Sequence, residues 1–196
     1  MPTRPRSRRR SRRRLSSAVW MVPMAAALIA GTVSSEGLHL RPVAILLVWL
    51  ACITPSLVRI DLAEHRLPNR IVLPALAVAV PLGVFDALVV GRMPGEPLLA
   101  GLLVGGALYA CAVFGGLGMG DVKLGALLGT TVGCFGVSAV LPFAVVSICS
   151  AGVVGAIVVV VTRSASGCAG WRTRIPFGPF LLLGCWSAVA LAVITG

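Results

Sequence analysis

The sequence predicts an all-α integral membrane protein, a polytopic bundle of about six to eight spanning helices with seven as the best count. Three observations carry that expectation. Apolar residues make up 58% of the 196. Eight arginines crowd into the first 14 positions, so Leu15 to Gly196 holds only 9 basic and 6 acidic side chains, where a soluble domain carries about one charge in four residues. The uncharged runs also recur at close to the roughly 20 helical residues that a hydrocarbon core about 30 Å thick requires. A soluble globular domain is excluded on composition, and an extramembrane domain of useful size has no room.

Residues 1–17 read as a disordered, arginine-rich cytoplasmic tail held by anionic lipid headgroups. The tail carries +8 of the net +11, so the basicity is local and does not imply nucleic acid as a partner. Residues 18–196 form one transmembrane domain. Its spans are expected near Ala18 to Val33, Pro42 to Ile60, Ile71 to Val90, Pro97 to Gly116, Leu124 to Val140, Pro142 to Thr162 and Phe177 to Thr195. The fifth is the weakest helix in isolation. Gly125, Gly129 and Gly133 share one of its faces, with Gly136 beyond, and such a face lets backbones approach closely in lipid. Orientation follows from loop charge, because Lys and Arg stay on the cytoplasmic side. Arg59, Arg66 and Arg70, then Lys123, then Arg163, Arg172 and Arg174 fall in alternate loops that share a side with the tail. The six cysteines lie 15 or more residues apart, which leaves no metal or redox spacing and reads as small buried apolar residues.

Six acidic residues remain to be placed. Glu36 and Glu96 fall in outer loops, and Asp86 comes late in the third span, where its carboxyl is expected to reach the headgroups. Asp61, Glu64 and Asp121 fall at the cytoplasmic ends of spans, where an ionisable group is costly and therefore a functional hypothesis. Asp61 opens a tight polar hairpin that Pro68 and Asn69 close. Asp121 follows Gly115, Gly116, Gly118 and Gly120, a stretch free to adopt left-handed or extended backbone, and stands at the head of a helix. Glu64, His65 and His39 read as solvated or interfacial groups. Two aspartates meeting at one membrane surface suit three roles: a protease dyad sharing one proton, a relay with Lys123 in a proton-coupled transporter, or a structural pair in an assembly scaffold.

The flanking residues resemble the prepilin peptidase family, the leader peptidases of type IV pilins and related secretion pseudopilins, which are membrane aspartyl proteases of the Gly-x-Gly-Asp class. The resemblance rests on Asp61-Leu62 with Leu67-Pro68-Asn69, on Gly118-x-Gly120-Asp121-Val122-Lys123-Leu124, and on Ile175-Pro176-Phe177-Gly178-Pro179-Phe180 with Gly184, in the family's order. It implies that Asp61 and Asp121 are catalytic, that Gly118 and Gly120 shape the turn, and that Lys123, Pro68 and Asn69 support it. The turn of Pro176, Phe177, Gly178 and Pro179 would then help receive substrate. The implied activity is cleavage of a short basic leader from a prepilin-like membrane precursor at the cytoplasmic face of the inner membrane. It needs no cofactor or metal, and the precursor's apolar helix would pack on the glycine faces. The chain looks like the short, peptidase-only form, which puts N-methylation in doubt.

Overall fold

The computed structural model describes residues 41–64, 69–115, 117–166 and 176–195. The arginine tail, the expected first span Ala18 to Val33, and Pro68 and Ile175 of the motifs lie outside the described residues. Six α-helices make up nearly everything described: α1 Pro42–Glu64, α2 Asn69–Val90, α3 Gly95–Gly115, α4 Met119–Gly133, α5 Val140–Ser166 and α6 Gly178–Thr195. Five of them, all but α4, are long and apolar enough to cross a membrane. Their lipid-compatible outer faces carry Ile45, Val48, Leu102, Phe114, Leu141 and Ile157, all largely exposed. This is an all-α integral membrane bundle.

α4 is the axis on which the others are hung. Almost every residue from Leu124 to Gly133 is buried, and α4 packs most extensively on α3, then on α2 and α6. The glycine face explains the intimacy with α3. A methyl group added at Gly129 would stand 2.8 Å from the Ala100 carbonyl oxygen, and one at Gly133 would stand 2.8 Å from Pro97 Cα. Neither distance leaves room for a side chain, so the two helices approach at backbone contact. The α4 glycine face is therefore filled by α3 of the same chain. It is not open to the apolar helix of a precursor, which corrects the expectation from sequence.

The fifth span also differs in extent from the expected Leu124 to Val140. Its helix begins earlier, at Met119, and stops at Gly133, after which Gly136 turns the chain at φ +119° into a single 3₁₀ turn, Val137–Ala139. That dihedral is open to glycine and hostile to other residues, so the apolar run is split despite its continuous hydropathy. Fifteen residues rise only about 22 Å, short of a full hydrocarbon core.

Asp86 is the second correction. It does not reach toward headgroups: it is fully buried in α2 and pairs with Arg41. Arg41 Nη2 lies 2.6 Å from Asp86 Oδ2, and the same nitrogen donates to the Cys134 carbonyl at 2.8 Å, taking up a carbonyl left free where α4 ends. The Arg41 guanidinium also sits 5.2 Å from the centroid of the Phe135 ring. Asp86 Oδ1 accepts the Val43 N–H at 3.0 Å, so this carboxylate caps the first turn of α1. Arg41 directly precedes α1. Burial of Asp86 draws it inward, because a carboxylate at that depth needs a charged partner.

The core fills the space between α1, α4 and α6 with Leu46, Leu50, Leu57, Leu127, Leu182 and Trp186. Trp186 donates its indole N–H to Thr54 Oγ1 at 3.4 Å, which ties the middle of α6 to α1 just before the in-helix Pro55. Gly184 of the third motif lies in this bundle and not at its end. A Cβ there would stand 2.7 Å from the Phe143 carbonyl oxygen, so it is the point of close approach between α5 and α6.

Candidate functional site

Three helix ends converge at the end of the bundle opposite the Arg41–Asp86 pair. Asp61 occupies the last turn of α1, with 4% of its surface exposed. Asp121 occupies the first turn of α4 and is half-buried. Gly178 opens α6. The sequence dictates each placement. α1 runs uninterrupted from Pro42 because its only breaker, Pro55, is tolerated where neighbouring helices surround it. α4 cannot start before Gly118, whose backbone is extended at φ −69° and ψ 137°. α6 starts where Pro176 and Pro179 bracket Phe177 and Gly178, and the Phe177 carbonyl accepts the N–H groups of Phe180 and Leu181.

The Gly178 N–H donates to Asp61 Oδ2 at 3.1 Å. It is one of the donors that no residue within the helix can satisfy, and it presents the positive end of the α6 dipole to the carboxylate. Asp61 in turn lies close enough to Asp121 for its charge to act there. The Asp121 carboxyl is raised to about 6, first by burial and then by the negative charge of Asp61, while a hydrogen bond from the Gly118 backbone pulls it back toward the ionised form. Two carboxyl groups in one water-poor site thus resist ionising together.

Gly118 takes the extended option among those its glycine-rich stretch allows, a conformation any residue can adopt. What it supplies is space, since a Cβ there would stand 3.3 Å from Asp121 Oδ2, pressing on that carboxyl. Gly120 lies in the first turn of α4 between Gly118 and Asp121, and Lys123 follows two residues later, half-buried and engaged with the surrounding structure. Asn69 is the first residue of α2, and Glu64 the last of α1. Phe177 packs against Phe180, with ring centroids 6.4 Å apart. Asp61, Asp121, Gly118 and Gly178 are therefore brought together although they derive from three separate stretches of sequence.

The profile of the type IV leader peptidase family matches residues 44–160, more than half of the chain. The chain belongs to the type IV leader peptidase family. Among its relatives is the prepilin leader peptidase/N-methyltransferase of Xanthomonas campestris pv. campestris, 32% identical over 147 residues, which cover 71% of this chain and 47% of that protein. The chain thus spans about half the length of the curated relative it matches. No solved structure matches. The family match takes in Asp61 and the stretch from Gly118 to Lys123 but ends before Pro176. The third motif meets the other two in the fold, through the Gly178 hydrogen bond to Asp61.

Two features of this leader peptidase family member escaped the sequence reading. The Arg41–Asp86 pair joins residues 45 positions apart, a separation that no local pattern of charge registers. Ser147 sits inside a long apolar run, where one hydroxyl gives no sign of its surroundings.

Proposed function

We propose that Asp61 and Asp121 are the catalytic pair of a membrane aspartyl endopeptidase that removes the short basic leader from prepilin-like or pseudopilin precursors. The observation that carries this reading is the raised Asp121 carboxyl beside a charged Asp61 that is held by a helix N-terminus. Up to a pH of about 6 the pair then holds one proton and one negative charge, the equipment for hydrolysing an amide without a metal.

Asp61 is the base. It takes a proton from a water molecule as the water oxygen bonds to the scissile carbonyl carbon, while Asp121 gives its proton to the carbonyl oxygen as negative charge develops there. The tetrahedral adduct collapses as the C–N bond breaks. The nitrogen leaves with a proton from Asp61, and the adduct's hydroxyl returns one to Asp121, which restores the starting pair and yields one acid and one amine. The Gly178 N–H keeps Asp61 in position and favours its ionised form at the start of the cycle, and Lys123 and the space at Gly118 keep Asp121 oriented.

The site faces the cytoplasm of the inner membrane. Arg59 on α1 and Lys123 on α4 share its end of the bundle, as retention of positive charge inside requires. A precursor lying in the bilayer presents its basic leader at that same surface.

The test is leader cleavage in detergent with purified protein and a precursor carrying a basic leader ahead of an apolar helix. Asp61→Asn and Asp121→Asn are each expected to lower the rate by at least about 10²- to 10⁴-fold, with insertion and helix content unchanged. Normal cleavage by either variant overturns the assignment, as does pH-driven ion flux through liposomes with no cleavage by the parent protein.

A further inference from the structure

α3 packs on α4 and α5 packs on α6, but among the described residues α3 and α5 hardly touch. The cleft left between them holds an apolar recess of about 160 Å³, with Leu103 and Ala107 of α3 on one wall and Phe143 and Ala144 of α5 on the other. It extends from Val140, the first residue of α5, to Phe177, just before α6. Its edges at Leu103 and Ile148 are largely exposed, so it opens on the outer surface of the bundle. The Ser147 hydroxyl is packed against Gly184 and leaves this wall apolar. α5 is also the least enclosed of the five long helices, with 11% of its spanning stretch buried against 56% for α6. One more helix has a place to lie there.

Arg41 fixes where the chain before α1 arrives from. Its guanidinium is held by the Cys134 carbonyl and the Phe135 ring, at the end of the bundle opposite Asp61 and Asp121. Val140 follows Phe135 by five residues, so that end of the cleft is near. The seven residues 34–40 reach about 23 Å when extended, ample for the step. Before them, the 19 residues from Leu15 to Val33 carry no charge, and in a helix they rise about 28 Å, close to one crossing.

The order of charges matches as well. Eight arginines in the first 14 positions followed by an apolar run repeat the order, basic stretch and then apolar helix, that the proposed reaction requires of its precursor. At helical spacing Met21, Met24 and Leu28 fall on one stripe, with Ala26 on the opposite face. Unbranched methionine side chains fill irregular apolar gaps, and a recess of this size accepts the side chains of one such stripe.

We propose that residues 15–33 lie along this cleft as a built-in counterpart of the precursor. Met21, Met24 and Leu28 enter the recess, and the segment runs antiparallel to α1. The junction of the arginine tail and the apolar run then rests beside Phe177, one residue from the Gly178 N–H that holds Asp61. Placed there, the segment competes with the precursor for the carboxyl pair, and a competitor on the same chain acts at an effective concentration on the order of millimolar. A precursor has to displace it, which raises the apparent KM. The competition rests on the proposed peptidase reaction; the seating of the segment in the cleft does not.

The experiment pairs cysteines across the cleft in the purified full chain, Leu28→Cys with Leu103→Cys and Met24→Cys with Ile148→Cys. The protein is oxidised with copper phenanthroline, and the bridged peptides are identified by mass spectrometry. Both pairs are expected to bridge within one chain, and either serves where the other does not fold. Ala26→Cys, on the far side of the stripe, is expected to bridge to neither edge. In the bridged protein kcat/KM for a precursor with a basic leader and an apolar helix is expected to fall by about tenfold or more, and dithiothreitol is expected to restore the rate the same variant had before oxidation. Folded protein that bridges in neither pair overturns the proposal, and that is the outcome if lipid alone covers the cleft. Bridges between two chains overturn it in favour of a second copy, and equal bridging from Ala26→Cys overturns it in favour of random collision. A bridge that leaves cleavage unchanged overturns the competition. If the parent protein cleaves no precursor, the peptidase reading fails while the bridges still decide where the segment lies, so the two failures are distinct.

Discussion

The two ends of the bundle treat a buried aspartate in opposite ways. At one end Asp86 is wholly enclosed and fully answered, by the Arg41 guanidinium and the Val43 N–H. Arg41 is answered in turn by the Cys134 carbonyl and the Phe135 ring. At the other end Asp61 also rests on a helix N-terminus, but the group across from it is Asp121, a second carboxyl. The first arrangement is closed and holds α1, α2 and the end of α4 in register. The second is frustrated, and in the proposed reaction the frustration is useful because it keeps one proton bound up to a pH of about 6. Burial alone does not mark an aspartate as reactive; what faces it does.

This contrast predicts different consequences for similar substitutions. The largest effect on stability belongs to the closed end. Asp86→Ala leaves Arg41 without its counter-charge, and breaking a buried pair from one side costs about 3–5 kcal/mol. Thermal unfolding in detergent is expected to show that loss, while turnover per folded molecule stays near that of the parent. At the frustrated end Asp61→Asn and Asp121→Asn reverse the pattern, with turnover lost and the fold retained. A stable Asp86→Ala protein that has lost cleavage would break the division of labour between the ends.

The next effect is on pH dependence. In the proposed reaction Asp121 acts in its protonated form, and its carboxyl is held at about 6, so cleavage is expected to fall by about tenfold per pH unit above that value. The sign for stability is the same. A carboxyl raised on folding contributes stability while protonated and loses it as pH rises from the ordinary carboxylate range through about 6. The melting temperature of the parent protein should decline across that window, and Asp121→Asn should remove the part of the decline that Asp121 causes. Asp86→Asn should leave the cleavage profile unmoved. The smallest effect is expected at Gly118→Ala. The added methyl group meets Asp121 Oδ2 at a tight but not prohibitive distance, so kcat falls by about a fewfold through displacement of the carboxyl, with little change in melting.

Much of this architecture was legible in the sequence, and the reasons are physical. Apolar runs bounded by charges and prolines gave the five long helices, because lipid enforces length and composition more strictly than water does. Asp61 and Asp121 stood out because charges are rare in such a chain, and the glycines before Asp121 and the Pro176 to Pro179 turn marked helix starts. What was not legible depended on contacts between distant residues. Asp86 looked like an interfacial charge until the fold put Arg41 beside it. The glycine face of α4 announced close packing without naming α3 as its partner. The split of the fifth span hinged on the backbone angle of one residue, Gly136, which hydropathy does not register.

The coupling between the two carboxyl groups is most directly tested by carbon-detected NMR titration of carboxyl-labelled aspartate in the purified protein, with Asp121 followed in the parent and in Asp61→Asn. In the parent its midpoint is expected near 6. Removal of the Asp61 charge is expected to lower that midpoint, though not to the ordinary aspartate value, because burial, the larger cause, remains. An Asp121 midpoint in the parent close to that of a free aspartate, or one unmoved by Asp61→Asn, would contradict the pair.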